Sequence, residues 1–339
     1  MAAPPPARGG TPWEIVAAVV VVLVALAGAG GAVAGMRSRP SPTPAPSLAL
    51  ETPTPAPTPL DPAEVRRLAF AQPLAAGCAT ADAVWLFADG GAAIRFDGHE
   101  WSIPDGTLRS LSAAICQQGS ATAVGDGGSI VRIDEAERSV LVDRAGTDDL
   151  HAIAPLSDGA LAVGSRGTIL RQSAVDWTRV DGGMTVDLFG VAVTGTAAWV
   201  VGDAGAAYRL RGSAWSTTPT GTHATLRAVV APTPDTAIAA GDAGTLLRWA
   251  GGPWTAVDAG TSGPLRSAAL IGGATWVVGD RGTAIELLGD AVRHVDLGTT
   301  CTLRAVFPEG ASVWIVGSDG VRGEAWRIAP NGTEHWGTC

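Results

Sequence analysis

The chain has 339 residues, with 45 Gly, 23 Pro and 12 Trp against one Tyr and five Phe. Apolar residues make up 46% and charged ones 16%, which allows a large core and excludes a chain that is mainly a disordered tail. All 23 basic residues are Arg against 32 acids, a net −9 that argues against a nucleic-acid partner, and the Gly content argues against a helical bundle, since each interior Gly costs a helix about 1 kcal/mol.

After a tail of residues 1–14, residues 15–36 form a run of 22 without a charge, bounded by Glu14 and Arg37. At a helical rise of ~1.5 Å per residue such a run spans roughly 33 Å, enough to cross a bilayer. It predicts either a retained transmembrane anchor or a signal peptide. The second would have Arg8 in its n-region and a small-residue cleavage site at Ala25-Leu26-Ala27 or Ala32-Val33-Ala34. Residues 37–63 are a Pro/Thr-rich linker, with nine Pro between positions 38 and 62. Alternating Pro favours polyproline II at ~3.1 Å per residue, a spacer of up to roughly 75 Å. The front end predicts a bacterial protein tethered to the cell membrane with its folded part outside the cytoplasm, or secreted or periplasmic if the segment is cleaved.

From residue 64 to 339 the chain repeats. A Gly-Asp-x-Gly string and its variants begin at Ala88, Gly125, Gly164, Gly202, Gly241, Gly279 and Gly317, successively 37, 39, 38, 39, 38 and 38 residues apart. Seven copies at so narrow a spacing mark a repeat architecture. A Leu stands 14 or 15 positions before each string (Leu74, Leu111, Leu150, Leu188, Leu226, Leu265, Leu303) and opens a strand A. Strand B runs into the string, often with a Trp three positions before it (Trp85, Trp199, Trp276, Trp314). Strand C follows the string, and strand D carries Trp101, Trp177, Trp215 or Trp254. Four short strands repeated seven times predict an all-β, seven-bladed β-propeller, a monomeric ring. No spare strand follows the seventh copy, so residues 64–73 are expected to close the ring as an added strand.

The string Val-Gly-Asp-x-Gly-Thr, an Arg in the next strand and the Trp-bearing strand after it resemble the repeats of Ycf48-like propellers, within the wider group with BNR (Asp-box) and YVTN/WD40-like repeats. The resemblance covers residues 74–338. It implies the propeller fold and an Arg-rich face for a protein partner. True Asp boxes carry Ser or Thr two positions before the Asp, where this chain has Val201 and Ala240, and an aromatic after the Gly, where it has Arg209 and Arg248.

The repeated acids Asp89, Asp126, Asp203, Asp242 and Asp280 are expected to serve their own turns rather than a metal, because two copies carry Ser instead. No metal or cofactor is expected. Cys78 and Cys116 stand 38 apart, as do Cys301 and Cys339, one repeat in each case, which is not zinc-ligand spacing. In an exported chain this predicts disulfides Cys78–Cys116 and Cys301–Cys339; the alternative is four free cysteines.

Two Arg sets recur. Arg95, Arg132, Arg171, Arg209 and Arg248 lie on strand C, an outer strand, and are expected to be solvated or paired with acids of the next blade. Arg227, Arg266 and Arg304 follow the strand A Leu in blades 5, 6 and 7, with His151 at the same place in blade 3. Strand A is innermost, so these four are candidate ligand-binding residues at one end of the central channel. Convergent cations favour an acidic peptide or an anionic surface of an envelope protein. No GxSxG elbow or HExxH pair is present, and no catalytic residue is assigned. The reading is a non-catalytic protein-binding platform. The alternative is a secreted sialidase-like enzyme or a glycan-binding lectin, against which stand a lone Tyr208 as nucleophile and blade-to-blade loops expected to span mostly two to six residues.

Overall fold

The structure is a computed structural model that describes residues 61–103, 109–133, 139–144, 146–173 and 176–339. The expected membrane segment and nearly all of the Pro-rich linker lie outside the described residues. No helix among the described residues is long and apolar enough to cross a membrane. The ring belongs to the unit Thr58–Cys339.

Seven four-stranded sheets occupy residues 74–102, 111–144, 150–179, 188–217, 226–256, 265–294 and 302–337, each an antiparallel meander in chain order. Blade 4 shows the plan: strand A Leu188–Thr194, B Ala197–Gly202, C Ala207–Arg211 and D Ala214–Thr217. Each strand A packs against the A strands of the two neighbouring blades, and that of blade 7 meets that of blade 1, so the ring is closed. The predicted seven-bladed propeller is the observed one.

The sequence builds blades because strands B are apolar on both faces. Ala197–Gly202 is buried at every position, which suits a strand covered on both sides by neighbouring blades. Seven apolar clusters result, one at each junction between blades. The strand B Trp residues are the wedges: Trp199 and Trp314 are wholly buried. Burying one large apolar side chain stabilises by about 1.5–3 kcal/mol.

The Gly-Asp-x-Gly string folds as a tight turn whose x residue takes left-handed dihedrals even when it is not Gly, as at Arg166, Ala204, Ala243 and Arg281. Blade 4 shows why both flanking positions are Gly. A Cβ on Gly202 would lie 2.1 Å from the Asp187 carbonyl oxygen, and one on Gly205 would lie 2.1 Å from that of Thr222. The turn is thus pressed between the start of its own blade and the linker to the next.

Ring closure differs from expectation. Residues 64–73 do not add a strand: Pro62–Ala69 is a helix, α1, and all four strands of blade 7 come from residues 302–337. The local sequence dictates the helix. Asp61 caps it by accepting from the Ala63 N–H, Pro62 begins it, Glu64 lies in its first turn, and Arg66 and Arg67 lie in its last. Its end delivers Phe70 edge-on to Trp101, with ring centroids 5.1 Å apart. The Phe70 carbonyl accepts from the Gly323 N–H of blade 7 at 3.1 Å. Trp101, Trp314, Trp336 and Phe96 complete the aromatic seam. The expected disulfides are both present, Cys78–Cys116 across blades 1 and 2 and Cys301–Cys339 beside the seam.

The connections between blades also differ from expectation. Residues 180–187, 218–225 and 257–264 each span eight positions rather than two to six, because strand D is short and the chain must travel inward to the next strand A.

Candidate functional site

In every blade the pairing of strands A and B slips directly after the repeated Leu. In blade 5, Leu226 faces Gly241 and Ala228 faces Ala240, which leaves Arg227 as an unpaired bulge residue. Bulges re-aim side chains. Here the seven bulge residues, Ala75, Ser112, His151, Phe189, Arg227, Arg266 and Arg304, line one cavity at a mouth of the channel, with a volume of about 280 Å³. An adjoining cavity shares His151, Phe189 and the three Arg and is lined further by Ala114, Gly190, Ala228 and Phe307.

The four residues singled out in the sequence are therefore brought together, and the Arg of three consecutive blades form an arc. That arc is not bare positive charge. Arg227 grips Asp242 of its own string through Nε (2.5 Å) and Nη2 (2.9 Å), and Arg266 grips Asp280 in the same two-pronged way. Arg304 has Ser318 at the corresponding place and reaches instead across the seam to Asp89 of blade 1, with only Nη1 within 3.2 Å. All three guanidinium side chains keep about a third of their surface exposed (31, 35 and 36%).

Asp242, Asp280 and Asp89 thus serve the mouth, where the sequence reading has each serve its own turn. Asp203, in blade 4, where the bulge residue is Phe189, accepts from Thr225 Oγ1 instead. In blades 2 and 3 the turns are held by carboxylates that precede the next blade: Asp149 accepts from the Gly127 N–H at 2.7 Å, and Asp187 from the Arg166 N–H at 2.8 Å. Electrostatics follow these contacts. The hydrogen bond from Arg227 to Asp242 raises the Arg227 pKa further. Burial works against ionised Asp280, but hydrogen bonds and charge from Arg266 outweigh it and hold its pKa below the usual carboxylate range.

His151 occupies the other arc. Its Nε2 lies 3.0 Å from Ser165 Oγ, and its ring leans on Phe189 at 4.8 Å. Burial pushes its pKa down, against the upward pull of Asp149, Asp187, Asp126 and Asp203. Phe189 also lies 5.6 Å from the Arg227 guanidinium, a cation–π distance. Sequence reasoning missed Phe189, Ser112 and Ala75 as mouth residues. The signal was available, since all three directly follow the strand A Leu.

The strand C Arg set lies away from the mouth. Arg209 and Arg248 pair with Asp235 and Asp290 of the next blade, as expected, whereas Arg171 pairs with Asp158 of its own. Arg209 is not solvated: it is 7% exposed and stacks on Trp199 and Trp249. Tyr208 packs among apolar side chains between blades 3 and 4, where it cannot serve the mouth as a nucleophile. Among the described residues, one group of metal-capable side chains gathers, Cys301, Glu324 and Cys339. Its two sulfurs are bonded to each other, and Glu324 accepts from Thr299 and lies 2.9 Å from His335 Nε2.

No protein-family model matches the sequence, and neither does any curated protein. Solved structures do. YCF48 bound to D1 peptide is similar at TM-score 0.62 and 13% identity, over 80% of this chain and 93% of that one. YCF48 from Cyanidioschyzon merolae is similar at TM-score 0.61 and 13% identity, over 77% and 97%. The WD40 β-propeller domain of Doa1 is similar at TM-score 0.65 and 10% identity, over 76% and 93%. The chain shares the propeller fold of YCF48 and of WD40 domains.

Proposed function

We propose that this chain is a non-catalytic, peptide-binding propeller whose ligand sits at the mouth formed by the seven bulge residues. The observation that carries the reading is the arc of Arg227, Arg266 and Arg304 on consecutive blades, beside the aromatic face of Phe189. Three guanidinium groups on rigid strands present preorganised donors to an acidic segment, and Phe189 offers an apolar neighbour. The YCF48 structure with a bound peptide shares this fold, which lends support by analogy alone. In the same reading the ring works as a monomer. The 22-residue uncharged segment and the Pro-rich stretch tether it to the bacterial membrane, where an envelope protein or an acidic peptide is its partner.

The test is affinity purification from envelope extracts with wild type and the Arg227→Ala, Arg266→Ala, Arg304→Ala triple variant, each confirmed folded by circular dichroism. Charge-assisted hydrogen bonds contribute about 1.5–3 kcal/mol each. The triple variant is therefore expected to lose its partners by well over about tenfold. Equal recovery by both proteins would place the binding surface elsewhere.

A further inference from the structure

The seven repeats act as controls for one another at the mouth, and blade 7 departs from them. In blades 5 and 6 the bulge Arg and the string Asp form closed two-pronged pairs. In blade 3 a neutral partner meets a bulge residue whose charge burial disfavours, Ser165 beside His151. Blade 7 alone sets an Arg against a Ser. Both sides of that mismatch show it: Arg304 Nε and Ser318 Oγ are buried and, among the described residues, have no hydrogen-bond partner. Ser318 itself is 1% exposed. Asp89, whose own blade has Ala75 at the bulge, is the only carboxylate in contact with the Arg304 guanidinium among the described residues, and it engages through Nη1 alone.

We propose that Arg304 is the position at which the mouth takes a ligand carboxylate, which displaces Asp89 and pairs with the exposed part of the guanidinium, as string carboxylates pair with Arg227 and Arg266 in blades 5 and 6. This rests on the reading of the mouth as a peptide site and narrows it to one chemical group on one residue. The chemistry is carboxylate because the same guanidinium fork, in the same backbone setting, already holds planar carboxylates in the two preceding blades. Arg227 and Arg266 are less available, since a ligand must there break two hydrogen bonds made by two different nitrogens, whereas Arg304 reaches Asp89 through Nη1 alone, at 3.2 and 3.5 Å. Displaced Asp89 can turn to water, since its side chain is already 38% exposed. The carboxylate can come from an Asp or Glu side chain or from a chain terminus.

Fluorescence anisotropy with three labelled peptides separates these sources. One is capped at both ends with a single Asp, one has a free C-terminus and no acidic side chain, and one is capped with neither. Wild type is expected to bind one or both carboxylate peptides and not the third; whichever binds names the source. Ser318→Asp supplies the missing internal partner and is expected to weaken that binding by about tenfold or more. Asp89→Asn removes the competitor and is expected to tighten it several-fold, which keeps the proposal testable if Ser318→Asp fails to fold. Opposite shifts from two residues that do not touch the ligand are not the result of general damage. If neither variant changes the affinity while the triple Arg variant abolishes it, the mouth reading survives and the Arg304 assignment falls. If the triple variant binds like wild type, both fall.

Discussion

Two arcs of one rim use the same backbone for different ends. On blades 5 and 6 the carboxylate of the string turns toward the channel and clamps a bulge Arg. On blades 2 and 3 the turn's backbone is instead clamped from outside, by Asp149 and Asp187 of the following blades, and the bulge residues are Ser112 and His151. The string is therefore a socket, and the residue after the strand A Leu decides which group fills it. A ring of near sevenfold regularity acquires a chemically one-sided mouth through that position.

The comparison can be broken most severely at what the arcs share. Gly205→Ala places a Cβ against the Thr222 carbonyl and asks a non-Gly residue to hold φ +73. Overpacking against backbone together with left-handed strain is expected to destabilise by about 2–4 kcal/mol, read as a lowered midpoint in urea. An unchanged midpoint would show that the turn is not pinned between blades.

A smaller effect separates the arcs. Asp242→Ala leaves the Arg227 guanidinium, about two-thirds buried, without its carboxylate, and is expected to cost about 1–2 kcal/mol. Asp149→Ala removes one carboxylate bond to an exposed backbone N–H and is expected to cost about 1 kcal/mol or less. Only the first should also alter peptide binding, because only it changes a mouth cation. Equal effects on both readouts would erase the distinction.

The smallest effect concerns pH. The folded pKa of His151 lies below its ordinary 6.5 because burial disfavours the cation. Its contribution to stability is therefore complete above 6.5 and is lost as pH falls toward the folded value, since the unfolded chain takes up the proton first. His151→Phe is expected to flatten the fall of the denaturation midpoint in the window just below 6.5. The same slope in both proteins would mean that His151 is not the group responsible.

Much of the fold was legible in the sequence because its signals are periodic. The recurrence of Leu, Trp and Gly-Asp-x-Gly near every 38 residues carries the blade number, the strand order and the pairing of cysteines one repeat apart. What was missed is local or relational. Only the need to close a ring suggests a strand at residues 64–73; Asp61, Pro62 and Glu64 are helix-start residues, and blade 7 has four strands of its own. The pairing of Arg209 with an acid of the next blade was legible, but its burial was not, because its stacking partners Trp199 and Trp249 come from different blades and only the packed junction sets them side by side. The candidate site was half legible. Position after the Leu placed Arg227, Arg266, Arg304 and His151 at one mouth, but the pairing of the three Arg with string carboxylates depends on a bulge that periodicity does not reveal.

The central claim, that ligands sit at the bulge mouth over blades 5 to 7, is tested most directly by mapping contact. An acidic peptide carrying a photo-activated crosslinker, added to the full chain and digested after irradiation, is expected to mark the segments around Arg227, Arg266 and Arg304, with unlabelled peptide suppressing the marks. Crosslinks that fall instead on the outer strands D, or at the opposite end of the channel, would contradict it.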